Sequence, residues 1–147
     1  MASIKALGFN NPQFMAGDGC AAYWIDKATL SDNPAVGDTI DFRIPAGAEV
    51  CSVEIQCDKL DSNGAPTFAF SAGFAPISPD SSLAANATYF AAAGQATAKT
   101  GGRLVCSFKP IKFDEDVMLR LTIGANAATF AAGDLIGVVS GNCRGVR

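Results

Sequence analysis

A chain of 147 residues fits one domain and can bury roughly 70% of its unfolded surface, so it needs no disulfide framework to be stable. With 49% hydrophobic and 17% charged residues it is too apolar for a disordered protein, and its surface must be built largely from Ala, Ser, Thr, Gly and Asn, which suits packing against other subunits. A formal charge of −3 with Lys and Arg scattered argues against a nucleic-acid partner, which needs a clustered basic face, and the absence of histidine removes Ser-His and Cys-His nucleophiles together with histidine-ligated zinc.

Residues 1–19 carry isolated apolar side chains, including Phe9, Phe14 and Met15, among Gly, Asn and Pro with no sustained period. They are expected to form an irregular N-terminal arm ahead of a single domain over 20–147. An arm bearing two Phe and a Met should be tied down on its own domain or on a neighbour, which makes Phe9, Phe14 and Met15 the candidate partner-binding residues. The opening lacks the apolar run of a secretory signal, and no window approaches the ~18 apolar residues of a membrane span. Synthesis in a cytoplasm and no membrane partner are the expectations. Five cysteines, an odd number, fit reduced thiols.

CAAYWIDKA reads as a first strand and TLSDNPAVGD as a loop. The stretch Asp38 to Cys57 then holds two alternating patterns. Ile40, Phe42 and Ile44 share one face; after a corner at Pro45 and Gly47, Cys51, Val53, Ile55 and Cys57 share another. Pro45 interrupts the ladder because it lacks an N–H, and Gly47 can take a turn conformation that other residues resist. Asn63-Gly64 is a turn signal, and TFAFSAGFA sends Phe68, Phe70 and Phe74 to one side. Between Ser78 and Gly102 the Ala-rich SPDSSLAANATYFAAAGQA suggests at most one short helix in the 80–95 region, capped by Asp80 or Ser81 and anchored by Leu83, Tyr89 and Phe90. RLVCSFKP, DVMLRLTI and DLIGVVSG return to strands, with Leu104, Cys106 and Phe108 in phase in the first and Leu119 and Leu121 in the second. Seven or eight short strands with almost no helix give an all-β, antiparallel β-sandwich, best matched by a jelly roll. Its expected core includes Ile40, Phe42, Val53, Ile55, Phe68, Phe70, Leu104, Leu119 and Leu121. Cys51, Cys57 and Cys106 fall on the apolar phase and should be buried thiols.

Chemistry-bearing motifs do not assemble. Gly17-Asp18-Gly19-Cys20-Ala21-Ala22 has the letters of a dinucleotide fingerprint, but a strand pattern follows it where a helix is required. Ser31-Asp32-Asn33 and Lys99-Thr100-Gly101 copy two signatures of serine β-lactamases without the third, since no Ser-x-x-Lys occurs. Asp114-Glu115-Asp116 and Asp58 with Asp61 sit in turns, where carboxylates are usually solvated or bond turn amides. No metal or cofactor is expected. Tyr23, Trp24 and Tyr89 could stack a sugar, although core or interface packing is the commoner use of such rings.

The stretch IPAGAEVCSVEIQCDKLDSNGAPTFAFSAGF, residues 44–74, resembles the capsid decoration, or cement, proteins of tailed bacteriophages. It has a strand into a Pro-Ala-Gly corner, a second strand, the acidic turn Asp58-Lys59-Leu60-Asp61 and a Gly-containing strand. The likeness continues through Tyr89-Phe90-Ala91-Ala92-Ala93, the Asp-rich turn into VMLRLTI, and AATFAAGDLIGVVS, spanning about 38–140. It implies a jelly-roll protein without catalysis that sits as a homodimer or homotrimer on the outside of a virion, made and assembled in the host bacterial cytoplasm, and bridges subunits of the major capsid protein. The alternative is a receptor- or glycan-binding jelly-roll module of a phage fibre or lectin type. Exposed rings around a pocket would favour the glycan module, and a flat apolar face with a detached arm would favour cement.

Overall fold

In a computed structural model, which describes residues 1–10 and 21–144, the chain forms β1 (Ser3–Lys5), β2 (Ala21–Leu30), β3 (Thr39–Ile44), β4 (Ala48–Cys57), β5 (Ala69–Pro76), β6 (Asn86–Gln95), α1 (Thr97–Thr100), β7 (Gly102–Val105), β8 (Ile111–Lys112), β9 (Val117–Ala125) and β10 (Gly133–Cys143). Sheet A has the order β1-β3-β9-β5-β6 and sheet B the order β2-β10-β4-β7, with β8 also paired to β4. All pairings are antiparallel except that of β1 with β3. The chain passes from one sheet to the other at every connection except β5–β6 and β7–β8. That is the strand order of an eight-stranded jelly roll with β1 and β8 added, an arrangement in which neither sheet leaves its apolar face uncovered.

The corner between β3 and β4 carries the chain from sheet A to sheet B. Gly47 takes a φ of 82° there, a conformation that disfavours any side chain. Its N–H donates to Phe113 O at 2.7 Å, and the Ala46 N–H donates to Asp116 Oδ1 at 2.8 Å. Between the sheets lie Ile40, Phe42, Val53, Ile55, Phe68, Phe70, Leu119 and Leu121, all buried. Leu104, expected with them, is only half-buried because β7 is a four-residue edge strand. Where Gly137 faces Phe42, an added Cβ would lie 3.0 Å from the ring, so the glycine lets the sheets close over that phenylalanine.

Three further expectations need correction. The 80–95 region holds no helix: Asn86–Gln95 is an edge strand, and the short helix follows it at Thr97–Thr100. Alanine favours helix intrinsically, but pairing with β5 and the burial of Phe90 override that preference. Phe90 is buried and Tyr89 partly so, in an edge-to-face cluster with Phe74, Phe108 and Phe113. Cys51 is exposed rather than buried. Ser52 pairs with Ser140 and Val50 with Gly141, so Cys51 is the extra residue of a β-bulge that reverses the side-chain phase between Val50 and Val53, both buried. Cys57 and Cys106 are buried free thiols, as expected, and Cys143 is another. Within the stretch read as irregular, Ser3–Lys5 is a strand on the edge of sheet A.

Candidate interaction surfaces

The carboxylates of the two candidate clusters are bound into the fold. Asp61, fully buried, accepts backbone N–H bonds from Thr67 (2.7 Å), Ala128 (2.9 Å), Asn63 (3.1 Å), Thr129 (3.1 Å) and Phe68 (3.3 Å). Burial opposes its ionisation, but the amides of Ala128, Thr67, Thr129 and Asn63 outweigh it and hold the carboxyl well below the usual carboxylate range. The residue therefore ties the 58–68 turn to the 126–130 loop. Asp58 accepts from the Asp134 N–H at 2.9 Å. Asp116 pairs with Arg43, Asp114 with Lys112, and Glu115 accepts from Ser81. Among the described residues no three His, Cys, Asp or Glu side chains converge to hold a metal.

The outer face of sheet A is sealed by its own N-terminal segment. Asp41 points away from the core phase yet is 0% exposed. It accepts from Arg120 Nε (2.7 Å), Arg120 Nη2 (3.1 Å), Lys5 Nζ (2.8 Å) and Ser3 Oγ (2.7 Å). Desolvation pushes its pKa up, and the bonds from Arg120, Lys5 and Ser3 overcome that, leaving it below the ordinary value. The segment then reaches sheet B, where Leu7 N–H donates to Lys27 O and Gly8 N–H to Asp26 Oδ1, each at 2.8 Å. Phe9 is 8% exposed and packs on Ala75, Ile77 and Met118, with Lys5 Nζ 4.4 Å from its ring centroid. Of the three candidate partner-binding residues, Phe9 thus lies against its own domain, whereas Phe14 and Met15 are outside the described residues.

The outer face of sheet B differs. The registers place Ile25, Val138, Glu54 and Val105 in one row across β2, β10, β4 and β7, and Tyr23, Ser140 and Ser52 in the next. Tyr23 is 63%, Val105 61% and Ile25 56% exposed. The charged groups beside them are mutually paired: Lys27 with Asp134 at 3.0 Å, Arg103 with Glu54. A shallow hollow of about 390 Å3 is lined by Tyr23 together with Ala22, Cys51, Ser140, Gly141 and Asn142. The other two rings of the candidate sugar platform are elsewhere. Trp24 is buried in the core, and Tyr89 packs in the aromatic cluster with its hydroxyl donating to Lys109 O at 2.9 Å.

Sequence reasoning missed both the buried Asp41 and the apolar sheet B face. The first carried no local signal. The second was legible in outline, since Tyr23 and Ile25 alternate with Trp24, but the pattern alone does not say which phase faces solvent.

No family model and no curated protein matches the chain. Two solved structures share its fold. A chain in the capsid of Ralstonia phage GP4 superposes with a TM-score of 0.76 at 22% identity, covering 99% of this chain and 100% of that one. A chain in the capsid asymmetric unit of cyanophage Pam1 gives 0.69 at 20% identity, over 88% and 92%.

Proposed function

We propose that this protein is a non-enzymatic component of a phage particle that binds the outside of the capsid and stabilises the shell by bridging subunits of the major capsid protein. The observation that carries the reading is the end-to-end likeness to chains found in two phage capsids. It agrees with the resemblance of residues 38–140 to decoration proteins. The commitment of the carboxylates to structural bonds supports a role without catalysis. So does a sheet B face whose charged groups are mutually paired and whose Tyr23, Ile25 and Val105 are exposed.

The mechanism is linkage. A protein that binds assembled shells in preference to free subunits stabilises the assembled state by the difference in binding free energy, and needs no active site. Each contact can be modest if an oligomer touches several subunits at once, because the later contacts form at high effective concentration. In this reading Phe14 and Met15 are contacts of the arm with a neighbouring subunit, and Phe9 fastens the base of the arm to its own sheet. The protein acts on the virion after synthesis in the host cytoplasm.

Co-sedimentation with mature heads, expanded heads and free capsid subunits of the phage tests this. Binding to heads with little or none to subunits is expected. Equal binding to both would remove the clamp mechanism, and glycan binding without head binding would replace the reading with the glycan module.

A further inference from the structure

We infer that Asn63-Gly64 is a site of spontaneous covalent modification, at which the asparagine side chain closes on the next backbone nitrogen, loses ammonia and reopens as aspartate or isoaspartate. Gly64 N attacks Asn63 Cγ and gives its proton to solvent hydroxide; the Cγ–Nδ2 bond breaks, and the nitrogen leaves as ammonia with a proton taken from water or a neighbouring hydroxyl. Water then opens the five-membered imide at either carbonyl. The net reaction consumes one water and converts the side-chain amide to a carboxylate and ammonium, so the chain gains ~1 Da and becomes one unit more negative than its formal −3.

The nucleophile is open. Gly64 is exposed, and no atom lies within 4 Å of the place a side chain would occupy, so hydroxide reaches its N–H and no Cβ obstructs the attack. The electrophile is aimed. Asn63 Oδ1 accepts the Ala65 N–H at 2.9 Å; this bond to the amide two residues on encloses the Gly64 peptide in a ring and draws Cγ toward the Gly64 nitrogen. The same N–H stabilises the negative charge that develops on Oδ1 during attack. The leaving nitrogen, Nδ2, donates to Thr129 Oγ1 at 3.0 Å, and that exposed hydroxyl is placed to return a proton as the C–N bond breaks.

Four other asparagines lack this set. Asn33 precedes Pro34, which has no N–H to give up. Asn126 precedes Ala127, whose N–H is already bonded to Asn33 Oδ1 at 3.1 Å. Asn86 and Asn142 lie within β6 and β10, ahead of residues that carry a Cβ. The product at position 63 also reaches a structural tie. Asp61 accepts the Asn63 N–H on one side of the 63–64 bond and the Thr67 and Phe68 N–H groups on the other. Isoaspartate adds a methylene to the main chain between them, which loosens the 58–68 turn from the 126–130 loop.

The full folded chain, aged at about pH 8 and ~37 °C and then digested and weighed, should gain ~1 Da in the peptide that contains Asn63, and isoaspartyl methyltransferase should label the same peptide. The rate should rise about tenfold per pH unit, because hydroxide removes the Gly64 proton. Gly64→Ala should slow the gain at least about fivefold, Asn63→Gln should abolish it, and Thr129→Val should slow it about threefold in the folded chain. In urea, where nothing holds the hydroxyl beside Asn63, Thr129→Val should age at the wild-type rate. A folded wild type that gains no mass while its unfolded form does would overturn the inference. So would a gain at Asn86, Asn126 or Asn142 as fast as at Asn63, or a folded Thr129→Val chain that ages like wild type.

Discussion

The two outer faces are built from the same alternating strands and end in opposite states. On sheet A the outward phase of β3 and β9 includes Asp41 and Arg120, and Ser3, Lys5 and Phe9 close over it until the carboxylate has no exposure. On sheet B the outward phase of β2 and β7 keeps Tyr23, Ile25 and Val105 more than half exposed. One face spends charged groups to hold a strand of its own chain; the other keeps apolar groups in water with their neighbouring charges neutralised. A buried carboxylate requires its cations to be present continuously, so the first arrangement is structural. Exposed apolar groups on a flat sheet gain only when something covers them, so the second is a face left open for contact.

The largest effect should come from the core that both faces share. Phe70→Ala removes a ring that is 1% exposed and should cost about 3–5 kcal/mol in urea unfolding. A loss under about 1 would mean the sandwich core is misplaced. Next, Asp41→Ala should cost about 2–3 kcal/mol. That is less than a fully buried pair, because Arg120 and Lys5 keep some contact with water once released. A change within about 0.5 kcal/mol, the range of an ordinary surface site, would erase the distinction between the faces.

The parts of the fold that were legible before the structure are those where a single alternation runs the length of a strand, as in Thr39–Ile44 and Val117–Ala125. In β4 the apolar spacing jumps from two to three between Val50 and Val53. That jump marks the bulge, and reading through it sent Cys51 to the wrong side. β1 is three residues long and is held by Asp41 from 36 to 38 positions away, a distance no local pattern spans. β6 reads as helix from composition, and its antiparallel pairing with β5, with Tyr89 and Phe90 packed on Phe74 and Phe108, makes it a strand. The candidate surface was hidden for a related reason. An outward row of side chains is assembled from four strands, so Ile25, Val138, Glu54 and Val105 become neighbours only once the register is known.

Acid should loosen what the buried carboxylates hold. Asp41 and Asp61 have folded-state pKa values below the ordinary carboxylate range, so their stabilisation is complete above that range and is lost as pH falls through it toward the folded values. Stability measured from pH 6 to pH 2 should fall below about pH 4, and Asp41→Asn should flatten part of that fall. A profile identical to wild type would mean that the buried carboxylate is not ionised in the native state.

The smallest thermodynamic effect, and the sharpest kinetic one, belongs to the open face. Cys51 should label rapidly with a thiol reagent. Cys57 and Cys106 should wait for unfolding, because burial, reinforced by the carboxylates of Asp58 and Glu54 respectively, pushes each thiol up to about 11. Comparable rates at the three sites would show that β4 carries no bulge at Cys51.

The central claim is that this jelly roll stabilises an assembled shell by binding it. Its most direct test is the temperature at which phage heads lacking the protein release their DNA or fall apart, followed while purified protein is added. The account predicts a saturable rise in that temperature, with the melting temperature of free capsid subunits unmoved. No change at concentrations where the protein saturates the heads would contradict it.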